Sequence, residues 1–167
     1  MSNSPMDLFV GLSAVLTGID ASKLAPQLDP VNIKQTYFNF VQGKAAATFN
    51  TLLGIFQQNQ NQPSAVIGNI IFSQSGPAVE YLARSIILMW YLGSWYDPAV
   101  LQQYNCSPPP PGPVPSAGVI SADAYTQGWV WNVAQAHPMG YSNFQFGDWS
   151  KDPPSLTDFV GTGGGQP

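Results

Sequence analysis

Apolar residues recur along the first sixty positions at the spacing of α-helices. Leu8, Phe9, Leu12, Val15, Leu16 and Ile19 fall at i, i+1, i+4, i+7, i+8 and i+11, one stripe of a helix. Ser4 stands as its N-cap, Pro5 takes the first helical position, and Asp7 lies in the first turn, where a carboxylate meets the positive end of the helix dipole. Gly18 ends it. Asp29-Pro30 repeats the start signal and predicts a second helix with Ile33, Tyr37, Phe40 and Val41 on one face and Gly43 at its end. A third helix is predicted over 44–58 on Phe49, Leu52, Leu53 and Phe56, running out in Gln57-Gln58-Asn59-Gln60-Asn61-Gln62, which water can solvate. Pro63 opens a segment whose Val66, Ile67, Ile70 and Ile71 fit helix or strand on pattern alone and are read as helix. The fifth helix is predicted from Pro77 to about Tyr96, with Val79, Leu82, Ala83, Ile86 and Trp90 on one face. Toward its end Leu88, Met89, Tyr91 and Leu92 make it apolar all round, the mark of a helix covered on every side.

Periodicity fails at Ser107-Pro-Pro-Pro-Pro-Gly-Pro-Val-Pro-Ser116, which favours polyproline II and excludes helix or central strand. A stiff strap over a surface or a ligand for a proline-recognition domain are the two readings. Ser121 then caps a last helix over 122–135, with Tyr125, Trp129, Val133 and Ala136 on one face and Trp131 off it. From His137 onward Gly, Pro and aromatic residues alternate without period through Tyr141, Phe144, Phe146 and Trp149 to Pro153-Pro154. Side chains this large bury on the order of 150–250 Å² each, so the tail is expected to lie against another surface. The expected fold is mostly α: an irregular bundle of about six helices with a Pro-rich strap and a non-regular aromatic C-terminal tail. Its organisation reads as one domain: a helical body over 1–106, the strap over 107–120, the last helix and tail over 121–160, and a disordered end over 161–167.

Composition changes the picture at one point. Only 8% of the 167 residues are charged, against roughly 25% in an ordinary soluble domain. No charged residue stands between Lys44 and Glu80, and the aromatic content is 5 Trp, 7 Tyr and 9 Phe. Such a chain is expected to be covered by something larger. The net charge of −4 and the lack of a basic cluster argue against nucleic acid as a partner. No apolar run reaches the roughly 20 residues that a transmembrane helix needs. Met1 to Asp7 holds no Lys or Arg, so the chain as it stands is expected not to export itself.

Candidate chemistry is thin. One His, one Cys and one Glu do not assemble a zinc site, and no calcium-loop spacing, dinucleotide-binding glycine motif, phosphate loop or nucleophile elbow is present, so no catalytic, cofactor-binding or metal residue is expected. Asp29 and Asp97, each before a proline, read as caps; Asp7 and Asp123 lie in first turns, and Asp20, Asp148, Asp152 and Asp158 suit turns. His137 reads as a residue near a helix C-terminus or as an interface hydrogen-bonder. Glu80 and Arg84, spaced i, i+4, are either a helix-surface ion pair or a contact into a partner. The partner-facing residues are expected to be Trp90, Tyr91, Trp95, Tyr96, Trp129, Trp131, His137, Tyr141, Phe144, Phe146 and Trp149. The interface is expected to exceed about 2,000 Å² in total, the obligate class.

Three motifs carry a resemblance. Phe9-x-x-Leu12-Ser13-x-x-Leu16-Thr17-Gly18, then Trp90-Tyr91-Leu92-Gly93, then Pro138-Met139-Gly140-Tyr141-Ser142 with Phe146-Gly147-x-Trp149 and Pro153-Pro154 occur in the same order in another family. They resemble the small, or gamma, subunit of bacterial membrane-bound FAD-dependent sorbitol, glucose and fructose dehydrogenases. The likeness spans most of the chain, with 45–79 matching only as helical filler. It implies a subunit without cofactor of its own, bound to a glucose-methanol-choline-type flavoprotein that holds FAD and assisting its stability, maturation and export. A cytochrome c subunit passing electrons to quinone completes such complexes. It further implies a periplasmic, membrane-associated location through partners; the lack of a twin-arginine signal leaves the cytoplasm as the alternative. Relatives often carry a cysteine where this chain has His137-Pro138-Met139-Gly140, so the role of that thiol is not carried over, and an intersubunit disulfide at Cys106 stays open. Two other classes remain: a small enzyme with His137 and Asp148 as acid and base, and a helical protein enclosing an apolar ligand.

Overall fold

The computed structural model describes residues 4–105, 111–112 and 117–136. These are mostly helical, as the periodicity predicts. Helix α1 (Pro5–Thr17) opens with a reciprocal cap: Asp7 N–H donates to Ser4 Oγ at 3.1 Å, and Ser4 N–H donates to the Asp7 carboxylate at 3.1 Å. It closes at Gly18, whose φ of 72° is the left-handed conformation open to glycine. Asp20, expected in a turn, instead caps a one-turn helix α2 (Ala21–Leu24) by accepting from the Ser22 N–H at 2.8 Å.

The second and third predicted helices are one, α3 (Ile33–Asn59), with a kink at Ala45 (φ −146°, ψ 41°). Gly43 does not end it, because a glycine inside a helix costs only about 1 kcal/mol. Burial of Ile33, Tyr37 and Val41 before the kink and of Phe49, Leu52, Leu53 and Phe56 after it outweighs that. Asp29 and Pro30 do not start the helix either. Asp29 caps the preceding turn, accepting from the Asn32 N–H at 2.6 Å; its second oxygen takes no hydrogen bond and lies 3.6 Å from Lys34 Nζ, an ion-pair contact. Helix α4 (Ser64–Asn69) follows Pro63 and runs into a π-helical turn, Ile70–Gln74.

Helix α5 (Pro77–Leu92) is the hub, touching α1, α3 and the π-helical turn. It ends at Leu92, four residues before the expected end at Tyr96, with Gly93 (φ 64°) as its cap, because the chain turns into a strand, β1 (Ser94–Trp95). A Cβ at Gly93 would collide with the carbonyl of Ala124, so glycine is needed for both backbone and space. Asp97 does cap a helix, α6 (Pro98–Tyr104), through the Ala99 N–H at 2.8 Å, and α6 packs on α5. The chain returns as β2 (Gly118–Val119), antiparallel to β1 with Ser94 opposite Val119. The predicted last helix is broken into α7 (Ala122–Thr126), capped by Ser121, and α8 (Trp129–Ala134). The break falls at Gly128, where the backbone approaches the Tyr91 carbonyl too closely for a Cβ to fit without a shift.

The core is aromatic at its centre. Phe9 meets Phe49 edge-on at 5.6 Å and Phe38 at 5.7 Å, and stacks at 6.1 Å on Trp90, whose ring meets Tyr37 edge-on at 4.8 Å. Such pairs add about 0.5–1.5 kcal/mol each beyond the area they bury. Around them Leu12, Leu52, Ile67, Ile71, Leu82, Ile86 and Met89 are all buried.

Candidate partner interface

The fold separates the aromatic residues expected at an interface into three groups. Trp90 and Trp95 lie in the chain's own core, 1% and 9% exposed, with Trp95 also lining a groove at the surface. Trp90 Nε1 donates to Ser13 Oγ at 2.9 Å, which satisfies the indole N–H and fixes the ring; Trp95 meets Phe40 edge-on. The signal for Trp90 is present in the chain, since it falls on the stripe of Val79, Leu82, Ala83 and Ile86. Trp95 gives no such signal, because its burial comes from the strand pair with residues 118–119.

Tyr91, Tyr96, Trp129 and Trp131 form the second group, half-buried at the edge of the core. Tyr91 OH donates to the Thr17 carbonyl at 2.9 Å, and burial raises its pKa above the ordinary 10.0. Tyr96 offers its main-chain carbonyl to Ser85 Oγ at 2.6 Å. Trp131 Nε1 donates to the Tyr125 carbonyl and its ring meets Tyr125 edge-on at 5.2 Å; Trp129 packs on the core. His137, Tyr141, Phe144, Phe146 and Trp149 are the third group and lie outside the described residues, as do Cys106, Asp148 and the expected disorder over 161–167.

The outer face of α5 gathers Arg84 and Tyr91, both weighed in the sequence as partner contacts, with Ile87 and Leu88. Arg84, Ile87, Leu88 and Tyr91 fall at i, i+3, i+4 and i+7, a second stripe beside the buried one. Arg84 is exposed and the other three are half-buried. Between this stripe and α6 runs a groove of about 260 Å³ lined by Tyr81, Arg84, Ile87, Leu88, Leu101 and Asn105. A second groove, about 340 Å³, lies where the α3 kink faces α6, with Lys44, Thr48, Tyr81, Trp95, Asp97 and Gln102 among its walls. Beyond α5, Val133 on α8 and Val119 on β2 are 55% and 57% exposed.

Electrostatics here are local. Hydrogen bonds from the side chain and then the backbone of Ser4 hold Asp7 below its ordinary value, and those of Ser22 do the same for Asp20; both carboxylates are helix caps. Burial raises Tyr37, whose OH lies 3.4 Å from the Ala124 carbonyl. Among the described residues no three of His, Cys, Asp and Glu gather to hold a metal ion, and no helix is long and apolar enough to cross a membrane.

The first two of the three resembling motifs meet in space. Phe9 stacks on Trp90, Ser13 accepts from Trp90, the Thr17 carbonyl accepts from Tyr91, and Gly18 and Gly93 end the two helices that carry them. Residues 77 positions apart therefore form one interlocked unit. Comparison with protein-family models, curated proteins and solved structures gives no match to this chain.

Proposed function

We propose that this chain is a non-catalytic small subunit of an FAD-dependent sugar or alcohol dehydrogenase complex, binding and stabilising the flavoprotein catalytic subunit. One observation carries the reading. Among the described residues, α5 and α8 leave Ile87, Leu88, Leu92, Trp129 and Trp131 only partly buried and Val133 55% exposed, in a chain with 8% charged residues. The ordered resemblance of the three motifs supports the identity of the partner: a glucose-methanol-choline-type subunit holding FAD, joined in complete complexes by a cytochrome c subunit. The cofactor belongs to that partner. Periplasmic placement, membrane-associated through partners, belongs to the same proposal.

The mechanism is linkage. A subunit that binds the folded flavoprotein and not its unfolded chain stabilises it by RT ln(1 + [L]/Kd), about 2.7 kcal/mol when the free subunit stands at 100 times Kd. The test is to express the flavoprotein encoded by a neighbouring reading frame with and without this chain. Co-expression is expected to give a stoichiometric complex and to raise the flavoprotein's soluble yield, FAD content and melting temperature. A flavoprotein equally loaded and equally stable alone, with this chain running as an unassociated monomer, overturns the reading.

A further inference from the structure

Arg84 is the chain's only arginine and Glu80 its only glutamate. The structure decides more about them than an i, i+4 spacing does. Arg84 Nε and Nη2 donate to the same oxygen, Glu80 Oε1, at 3.0 and 2.9 Å. The rings of Phe72 and Tyr81 each stand 5.7 Å from the guanidinium carbon, in the range of cation–π attraction. A guanidinium held along one edge and against two rings has little conformational freedom left to lose on binding. Its side chain is nonetheless 46% exposed.

A guanidinium has two edges able to make paired hydrogen bonds. Glu80 occupies the edge formed by Nε and Nη2; the outer edge, Nη1 with the second Nη2 proton, has no partner among the described residues. That edge matches the two oxygens of a carboxylate. Beside it lies the groove between α5 and α6, floored by Ile87, Leu88 and Leu101. Asn105, also in the lining, donates from Nδ2 to the Tyr81 hydroxyl at 2.8 Å, which steadies the same tyrosine that flanks Arg84. An apolar floor with one fixed cation at its margin favours an apolar segment carrying a negative charge. A cationic segment would meet Arg84 first, since Glu80 is the more covered of the two, at 23%.

We propose that this groove seats an extended apolar segment of the flavoprotein subunit, with an acidic side chain or a C-terminal carboxylate on the outer edge of Arg84. The inference rests on the partner reading above and adds the place and the chemistry of contact.

The experiment uses the full chain co-expressed with the flavoprotein of the neighbouring frame. Arg84→Gln is expected to weaken the complex about 10- to 100-fold, the range of an interface arginine. Arg84→Lys, which keeps the charge and loses the fork, is expected to weaken it nearly as much. A photo-crosslinking residue at Leu101 is expected to join a flavoprotein peptide that has Asp, Glu or a C-terminus within a few positions. Should Arg84→Gln lose helicity, the Leu101 crosslink decides alone. If the flavoprotein binds all variants equally, or Leu101 crosslinks to residues 137–167 of its own chain or to a second copy, the inference falls and the partner reading stands. If no flavoprotein accompanies the wild-type chain, both fall.

Discussion

The two faces of α5 are made from similar residues and have different fates. Leu82, Ala83, Ile86, Met89 and Trp90 are at most 1% exposed, interlocked with α1 and α3. Ile87, Leu88 and Leu92, a few residues away on the same helix, are only partly buried. All-round apolarity announced burial on every side, but the described residues bury one side fully and the other only in part. A helix's composition therefore tells how much surface should leave water, and the difference between its faces tells how much of that a partner has to supply.

The comparison breaks first at the inner face. Trp90→Ala empties a fully buried site and is expected to cost about 3–5 kcal/mol, read as a fall in the urea midpoint; a loss below 1 kcal/mol would mean that the inner face is not the core. Gly93→Ala comes next. The left-handed backbone alone costs roughly 1–2 kcal/mol for alanine, and the collision with Ala124 adds to it. Its signature is early proteolytic cleavage within 117–136 while the body stays protected. Ser13→Ala leaves the Trp90 N–H buried without a partner, an expected loss of about 1–3 kcal/mol by the same melt. On the outer face Leu88→Ala is expected to change the stability of the chain by less than about 1 kcal/mol while weakening the complex measurably in a pull-down titration. Equal effects of Leu88→Ala and Trp90→Ala on the melt would erase the distinction between faces.

The smallest effects are those of pH. Asp7 and Asp20 have folded-state pKa values below the ordinary 3.8, so their stabilisation is present above that value and is lost as pH falls through the lowered one. Acid denaturation is expected to steepen below about pH 4, and Asp7→Asn with Asp20→Asn should flatten that limb. Tyr37 and Tyr91 are raised above 10.0, so they favour the folded chain below pH 10 and lose that contribution as pH climbs beyond it. Unchanged alkaline melts in Tyr37→Phe with Tyr91→Phe would remove the tyrosines from the account.

Local signals were the legible part of this protein. Ser4, Pro5, Asp7 and Gly18 bracket α1 as their chemistry requires, Asp97 and Ser121 cap the helices they precede, and most of the stripe residues of α1, α3 and α5 are buried, with Val15, Leu16 and Phe40 partly so. Those features depend on neighbours within about four positions, which a sequence displays. Sequence alone also sets the scarcity of charge and the surplus of aromatic area. Tertiary structure decided the rest. It carried α3 through Gly43, stopped α5 at Gly93 to make room for Ala124, and broke the last helix at Gly128. It also drew Trp90 and Trp95 inward and left Arg84 with one guanidinium edge open among the described residues, since both outcomes depend on which distant segment arrives to cover each face of α5. Periodicity states that a face is apolar; only the packed fold shows whether the chain itself can cover it.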